Sequence, residues 1–107
     1  MEKFRNLKVW QKAHALVLDV YRITKTFPSD ERFGLTSQIR RAAVSIAANI
    51  AEGSKRWTKK DQAHFYTMAS GSLEEVKYYL ILGYDLKYIT YADGKDAMEN
   101  AREIGKM

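Results

Sequence analysis

The sequence predicts an all-α fold, an antiparallel up-and-down four-helix bundle, on three observations. Apolar residues recur at steps of three and four along four separate segments, the period of an amphipathic helix, and no strand pattern is present. The 107 residues include a single proline, so little interrupts long helices. The links between the segments are short, which favours antiparallel neighbours.

The first helix is expected over about 7–25. Leu7, Trp10, Ala13, Leu16, Val17, Val20, Ile23 and Phe27 form one apolar stripe. Pro28 ends it, because the residue before a proline is pushed out of the helical region. Ser29 and Asp30 cap a short turn through Phe33, and Gly34 allows a bend. The second helix, about 35–52, carries Leu35, Ile39, Ala42, Ile46 and Ile50 on one face, with Gly53 placed to stop it in a left-handed conformation. The third, about 59–85, begins at a cap supplied by Thr58 or Asp61. Its buried face is read as Phe65, Met68, Ala69, Ser72, Val76, Leu80 and Gly83. The small residues Ala69, Ser70, Gly71 and Ser72 are expected against the alanines of helix two (Ala42, Ala43, Ala47, Ala48, Ala51). A close crossing would justify glycines that each cost about 1 kcal/mol in a helix. The fourth helix, about 91–104, starts at Thr90 with Asp93 three residues on and offers only Ala97, Met98, Ala101 and Ile104 to a core.

Length and composition bound the function. A chain of this size forms one domain, here residues 1–107, and its 46% hydrophobic content marks it as folded. The absence of cysteine excludes disulfides, thiolate-bound zinc and thiol catalysis. No run approaches the roughly 18 apolar residues that span a bilayer. The opening MEKFRNLKVW carries charge where a signal peptide needs apolar residues. The reading is a soluble, cytoplasmic protein with no membrane contact.

The net charge of +5 is unevenly spread. Residues 1–60 hold 13 Lys and Arg against 5 Asp and Glu, whereas residues 61–107 hold 5 against 8. A basic half suits a polyanion such as RNA or DNA, and equally the acidic half of a neighbouring copy.

The residues offer no catalytic constellation. His14 and His64 lie on separate helices without a metal-ligand spacing. Glu74 and Glu75 are adjacent, hence about 100° apart on a helix, and do not form a carboxylate pair on one face. The serines have no nucleophile elbow, and no phosphate-binding glycine loop occurs. No catalytic residue, metal or cofactor is assigned.

Two surfaces stand out instead. Gln38, Arg41, Ser45, Asn49 and Glu52 follow one another at helical spacing among alanines, a polar stripe suited to a subunit interface. Asparagine is a poor residue inside a helix unless its side chain has a task. Tyr78 and Tyr79 join this interface set, because a tyrosine can bury its ring and keep its hydroxyl wet. The second surface is the link Ser54–Lys60. Lys55, Arg56, Lys59 and Lys60 surround Trp57 and, with Arg40 and Arg41, form a candidate nucleic-acid surface. There, cations meet phosphates and the ring stacks on a base. The alternative for Trp57 is a ring that covers the bundle end.

FRNLKVWQKA, FPSDERFGLTSQIRRAAVSIAANIAEG, ASGSLEEVKYYL and the Gly83–Leu86 region together resemble the family of 23S rRNA intervening-sequence proteins, over nearly the whole chain. The resemblance implies a four-helix bundle assembled as a ring-shaped homopentamer. It carries no catalytic residues over. Members are encoded within insertions in bacterial 23S rRNA genes or as free-standing genes. A similar bundle, the accessory variability determinant of diversity-generating retroelements, is a pentamer whose basic surface binds nucleic acid and a reverse transcriptase. Related sequences often carry a proline where this chain has Ala47, and often continue past Lys106-Met107.

The expected function is therefore a non-enzymatic oligomeric bundle that binds RNA or a ribonucleoprotein. The alternative is a homo-oligomeric scaffold that recruits an acidic protein and touches no nucleic acid.

Overall fold

The computed structural model describes residues 2–107 as four helices: α1 (Lys8–Thr24), α2 (Leu35–Ser54), α3 (Lys59–Asp85) and α4 (Tyr91–Gly105). Single 3-10 turns at Lys3–Asn6 and Ser29–Glu31 precede α1 and α2. Each helix lies within two residues of the range its periodicity predicts. The molecule is a rod of 44 × 24 × 24 Å.

Helix α2 packs against α1 and α3, and α4 against α1 and α3, which places the helices at the corners of a square. Contact registers show that neighbours run in opposite directions. On α2 and α3, Ser45 meets Ser72, and Gly53 meets Phe65 and Tyr66. On α1 and α4, Lys12 pairs with Glu103 at 2.7 Å and Arg22 with Asp93 at 3.2 Å. Between α1 and α2, Arg40 reaches back to Thr24, and between α3 and α4 the Leu73 side chain lies beside Gly105.

One cluster forms the core. Leu16, Ile39, Ile46, Leu80, Val20 and Val76 are its largest fully buried side chains. Burying such a residue stabilises the fold by about 1.5–3 kcal/mol relative to leaving it exposed. Three members of the predicted core fall outside it: Leu7 caps α1 and is exposed, Met68 lies off the buried stripe of α3, and Phe65 is only half-buried. Leu73, one position from Ser72, fills that stripe instead. Between the start of α1 and the end of α4 an apolar cleft of about 360 Å³ remains, lined by Leu7, Val9, Ile46, Leu73 and Ile104 among others.

Two glycines, Gly53 and Gly71, act differently from the expectation, whereas Gly83 is closely packed as expected. No glycine has a positive φ, so Gly53 does not terminate α2 in a left-handed turn; the helix runs on to Ser54. Gly53 is a crossing point, where an added Cβ would sit 2.7 Å from the Tyr66 ring and 3.1 Å from Phe65 Cβ. Gly83 is similar, with Ile89 Cδ1 2.6 Å from its virtual Cβ. Gly71 is exposed with nothing within 4 Å, so a close crossing does not explain it; only Ala69 and Ser72 of that small-residue run face inward. Of the α2 alanines, Ala42, Ala43 and Ala47 are buried, whereas Ala48 is exposed and Ala51 half-exposed.

The starts of α3 and α4 are capped by side chains. Thr58 and Thr90 each accept a hydrogen bond at 3.1 Å from a backbone N–H three residues on, those of Asp61 and Asp93. Helix α3 ends in a Schellman turn: Tyr88 N–H donates to Gly83 O at 2.8 Å and Lys87 N–H to Tyr84 O at 2.9 Å. Lys87 takes the left-handed position, φ 66°, usually given to glycine.

Candidate nucleic-acid interface

The predicted cationic surface begins where α2 gives way to α3. The Thr58 cap and the Gln62 side chain, which donates to Arg56 O at 3.0 Å, fix the link between them. Its four cations are not equivalent. The Arg56 guanidinium pairs with Glu52 one turn back and lies over the Phe65 ring, 4.6 Å from its centroid. Arg56 is thus occupied in holding the link to α3. Lys55 is exposed, with only a loose 3.8 Å approach to Glu2, while Lys59 and Lys60 form no ion pair among the described residues.

The Trp57 ring lies in open solvent. It is 99% exposed, so it covers nothing at the bundle end. Leaving an indole in water forfeits about 1.5–3 kcal/mol of burial that a large apolar side chain otherwise provides. A bare ring and three exposed lysines, Lys55 in the link and Lys59 and Lys60 in the first turn of α3, therefore lie within six residues of one another.

The other two predicted cations sit at the opposite end of α2. Arg40 is half-buried: its Nε donates to Thr24 Oγ1 at 2.8 Å, and its guanidinium lies 4.5 Å over the Tyr21 ring. Arg41 is exposed and forms no ion pair among the described residues. The two arginines are thus about four turns, or about 21 Å, from the link cluster at 1.5 Å per residue along α2. Arg32 and Phe33, which the sequence reading assigned only to a turn, stand beside them. The adjacency of an arginine and an aromatic in ERFG was the available signal.

The polar stripe of α2 divides. Ser72 Oγ donates to Ser45 Oγ at 2.8 Å, and Asn49 Nδ2 donates to Ser45 Oγ and O at 3.0 and 2.8 Å. Ser45 is thus bonded across the α2–α3 seam, and Asn49 is bonded to Ser45 within α2. Gln38, Arg41 and Glu52 remain exposed. Tyr78 is 57% exposed, whereas Tyr79 is half-buried against the core, with the two rings 5.8 Å apart.

Among the described residues, no group of three or more His, Asp or Glu side chains is placed to hold a metal ion, and no helix is long and apolar enough to cross a membrane. His14 stacks on Trp10, and His64 meets Phe65 edge-on.

Comparison with known proteins agrees with this architecture. The 23S rRNA-intervening sequence protein family matches residues 5–107. The chain belongs to that family. A crystal structure of a protein of unknown function from the S23 ribosomal protein family of Bacteroides thetaiotaomicron superposes with a TM-score of 0.84. The identity is 25%, and the match covers 92% of each chain. No curated protein matches the sequence. Neither the family nor the solved neighbour, itself of unknown function, brings a catalytic activity with it.

Proposed function

We propose that this chain is a non-enzymatic RNA-binding module that grips phosphates with Lys55, Lys59 and Lys60 and stacks a base on Trp57. The observation that carries the reading is the bare indole, 99% exposed among three exposed lysines. A ring held in water by a capped, hydrogen-bonded link is pre-placed for a planar ligand, and every base has a π-face. The basic balance of residues 1–60 supports a polyanionic ligand. The family description ties its members to an intervening sequence of 23S rRNA, which is consonant with an RNA ligand.

Fluorescence anisotropy with a 12-nucleotide oligo(U) tests this. Binding should fall steeply between 50 and 200 mM salt. Lys55→Ala/Lys59→Ala/Lys60→Ala should flatten the slope of log affinity against log salt by about 2, at about 0.7 per phosphate contact in a single strand. Equal affinity and slope in the two proteins would end the assignment.

Self-assembly belongs to the same reading. Met68, Tyr78 and Ile81 leave large apolar area exposed on α3. These residues offer surface for neighbouring copies, and the family resemblance favours a pentamer.

A further inference from the structure

Between the C-terminal end of α1 and the first turns of α2 lies an open groove of about 670 Å³. Arg32, Phe33, Arg40 and Arg41 form its working surface, flanked by Thr36 and Ser37, and no carboxylate lines it. Three guanidinium groups around one concavity, without an acidic partner, form an unbalanced positive site. Of the acidic residues next in sequence, Glu31 is turned toward Tyr88. The Glu31 carboxylate is held there, accepting from Leu35 N–H at 3.1 Å and from the Tyr88 hydroxyl at 3.2 Å.

The groove also presents a ring. Phe33 is 86% exposed, with the Arg32 guanidinium 5.5 Å above it. Arg40 is fixed by Thr24 and Tyr21 and so is pre-positioned, while Arg32 and Arg41 are exposed and form no ion pair among the described residues. A bare ring beside free guanidinium groups repeats, with arginine in place of lysine, the chemistry of the Trp57 link.

We infer that this groove is a second nucleic-acid site, taking an unpaired nucleotide with its phosphate on Arg32 and Arg41 and its base on Phe33. One single strand then runs along the exposed ridge of α2 from Phe33 to Trp57. The ridge fits such a path. Arg41, Val44, Ala48 and Lys55 share its exposed face, so small side chains separate the two charged ends. Glu52, the carboxylate near that face, is neutralised by Arg56. From Arg41 to Lys55 the helix advances about 21 Å at 1.5 Å per residue. That is about six nucleotides at the stacked spacing of about 3.4 Å. The inference rests on the RNA-binding reading and adds to it a second contact, a preference for single strands and a minimum length. Guanidinium beside an aromatic favours a stacked base over an acidic peptide, which would need the charge but not the ring.

Anisotropy with fluorescein-labelled oligo(U)4, oligo(U)12 and a 12-base-pair RNA duplex tests it, with oligo-glutamate as competitor. The 12-mer reaches both sites and the 4-mer only one. Wild-type protein should bind oligo(U)12 at least about tenfold more tightly than oligo(U)4, the gain expected of two linked contacts. Arg32→Ala/Arg41→Ala should remove that gain and flatten the salt slope by about 1.4, with oligo(U)4 changed less than threefold. Phe33→Ala, at a position too exposed to support the fold, should weaken oligo(U)12 by about fivefold or more. An unchanged melting temperature in each variant confirms folding. If these variants bind oligo(U)12 as the wild type does while Trp57→Ala weakens it, the groove is overturned and the link reading stands. If the groove variants weaken it and Trp57→Ala does not, the groove stands and the link reading falls. Duplex binding as tight as oligo(U)12 overturns the single-strand path. Displacement by oligo-glutamate that depends on Arg32 and Arg41, with Phe33→Ala silent, assigns the groove to an acidic protein instead.

Discussion

Lys87 shows how one residue can carry a turn against its own preference. At φ 66° its Cβ crowds the following carbonyl, a cost of about 1–2 kcal/mol for a non-glycine residue. The bonds from Tyr88 and Lys87 back into the last turn of α3 hold it there. Lys87→Gly should therefore raise unfolding stability by about 1 kcal/mol, read from the midpoint of a urea transition. The glycines form a matching pair of opposite sign. Gly71→Ala meets open space on an exposed helix surface and should stabilise the monomer by about 0.5–1 kcal/mol. Gly53→Ala drives a methyl into Tyr66 and Phe65 and should cost about 1–3 kcal/mol in the same assay. Sequence alone showed two glycines in one helix and one at a helix end. It could not show which of them another helix approaches, because that depends on a crossing point far away in the chain.

At the scale of elements, the two threonine caps were legible because capping is local: Thr58 and Thr90 each lie three residues before the N–H they bind. Thr90→Ala should cost about 1 kcal/mol. The loss should appear chiefly as faster amide hydrogen exchange in the first turns of α4, which offers only Ala97, Ala101 and Ile104 fully to the core. Its other attachments are the exposed ion pairs Lys12–Glu103 and Arg22–Asp93, each worth about 1 kcal/mol or less. The polar stripe of α2 was also legible, since spacing places Ser45 and Asn49 on one side of the helix. Spacing did not reveal that this side faces Ser72. The direction of a stripe is a property of the neighbouring helix, and so the split between an internal seam and an exposed remnant of Gln38, Arg41 and Glu52 emerged only with packing.

Across the whole molecule, the candidate cations form two groups, one toward each end of α2. On the assembly reading, Tyr78→Asp/Ile81→Asp places charge in an exposed apolar area of α3. It should reduce the mass measured by light scattering at micromolar concentration toward that of one chain, with the helical circular dichroism unchanged. A wild-type protein of one-chain mass under those conditions would end that reading. The sequence by itself determined the four helices, their order, most of the core and the basic character of the link. Each of these follows from periodicity, capping and charge within about four residues. The tertiary structure decided which cations are free. It showed Arg56 bound to Glu52 and Phe65, Arg40 tied to Thr24 and Tyr21, Trp57 in open water, and Arg32 and Phe33 drawn from a turn to the side of Arg41. Accessibility and partnership are set by residues distant in sequence, and only the packed bundle brings those residues together.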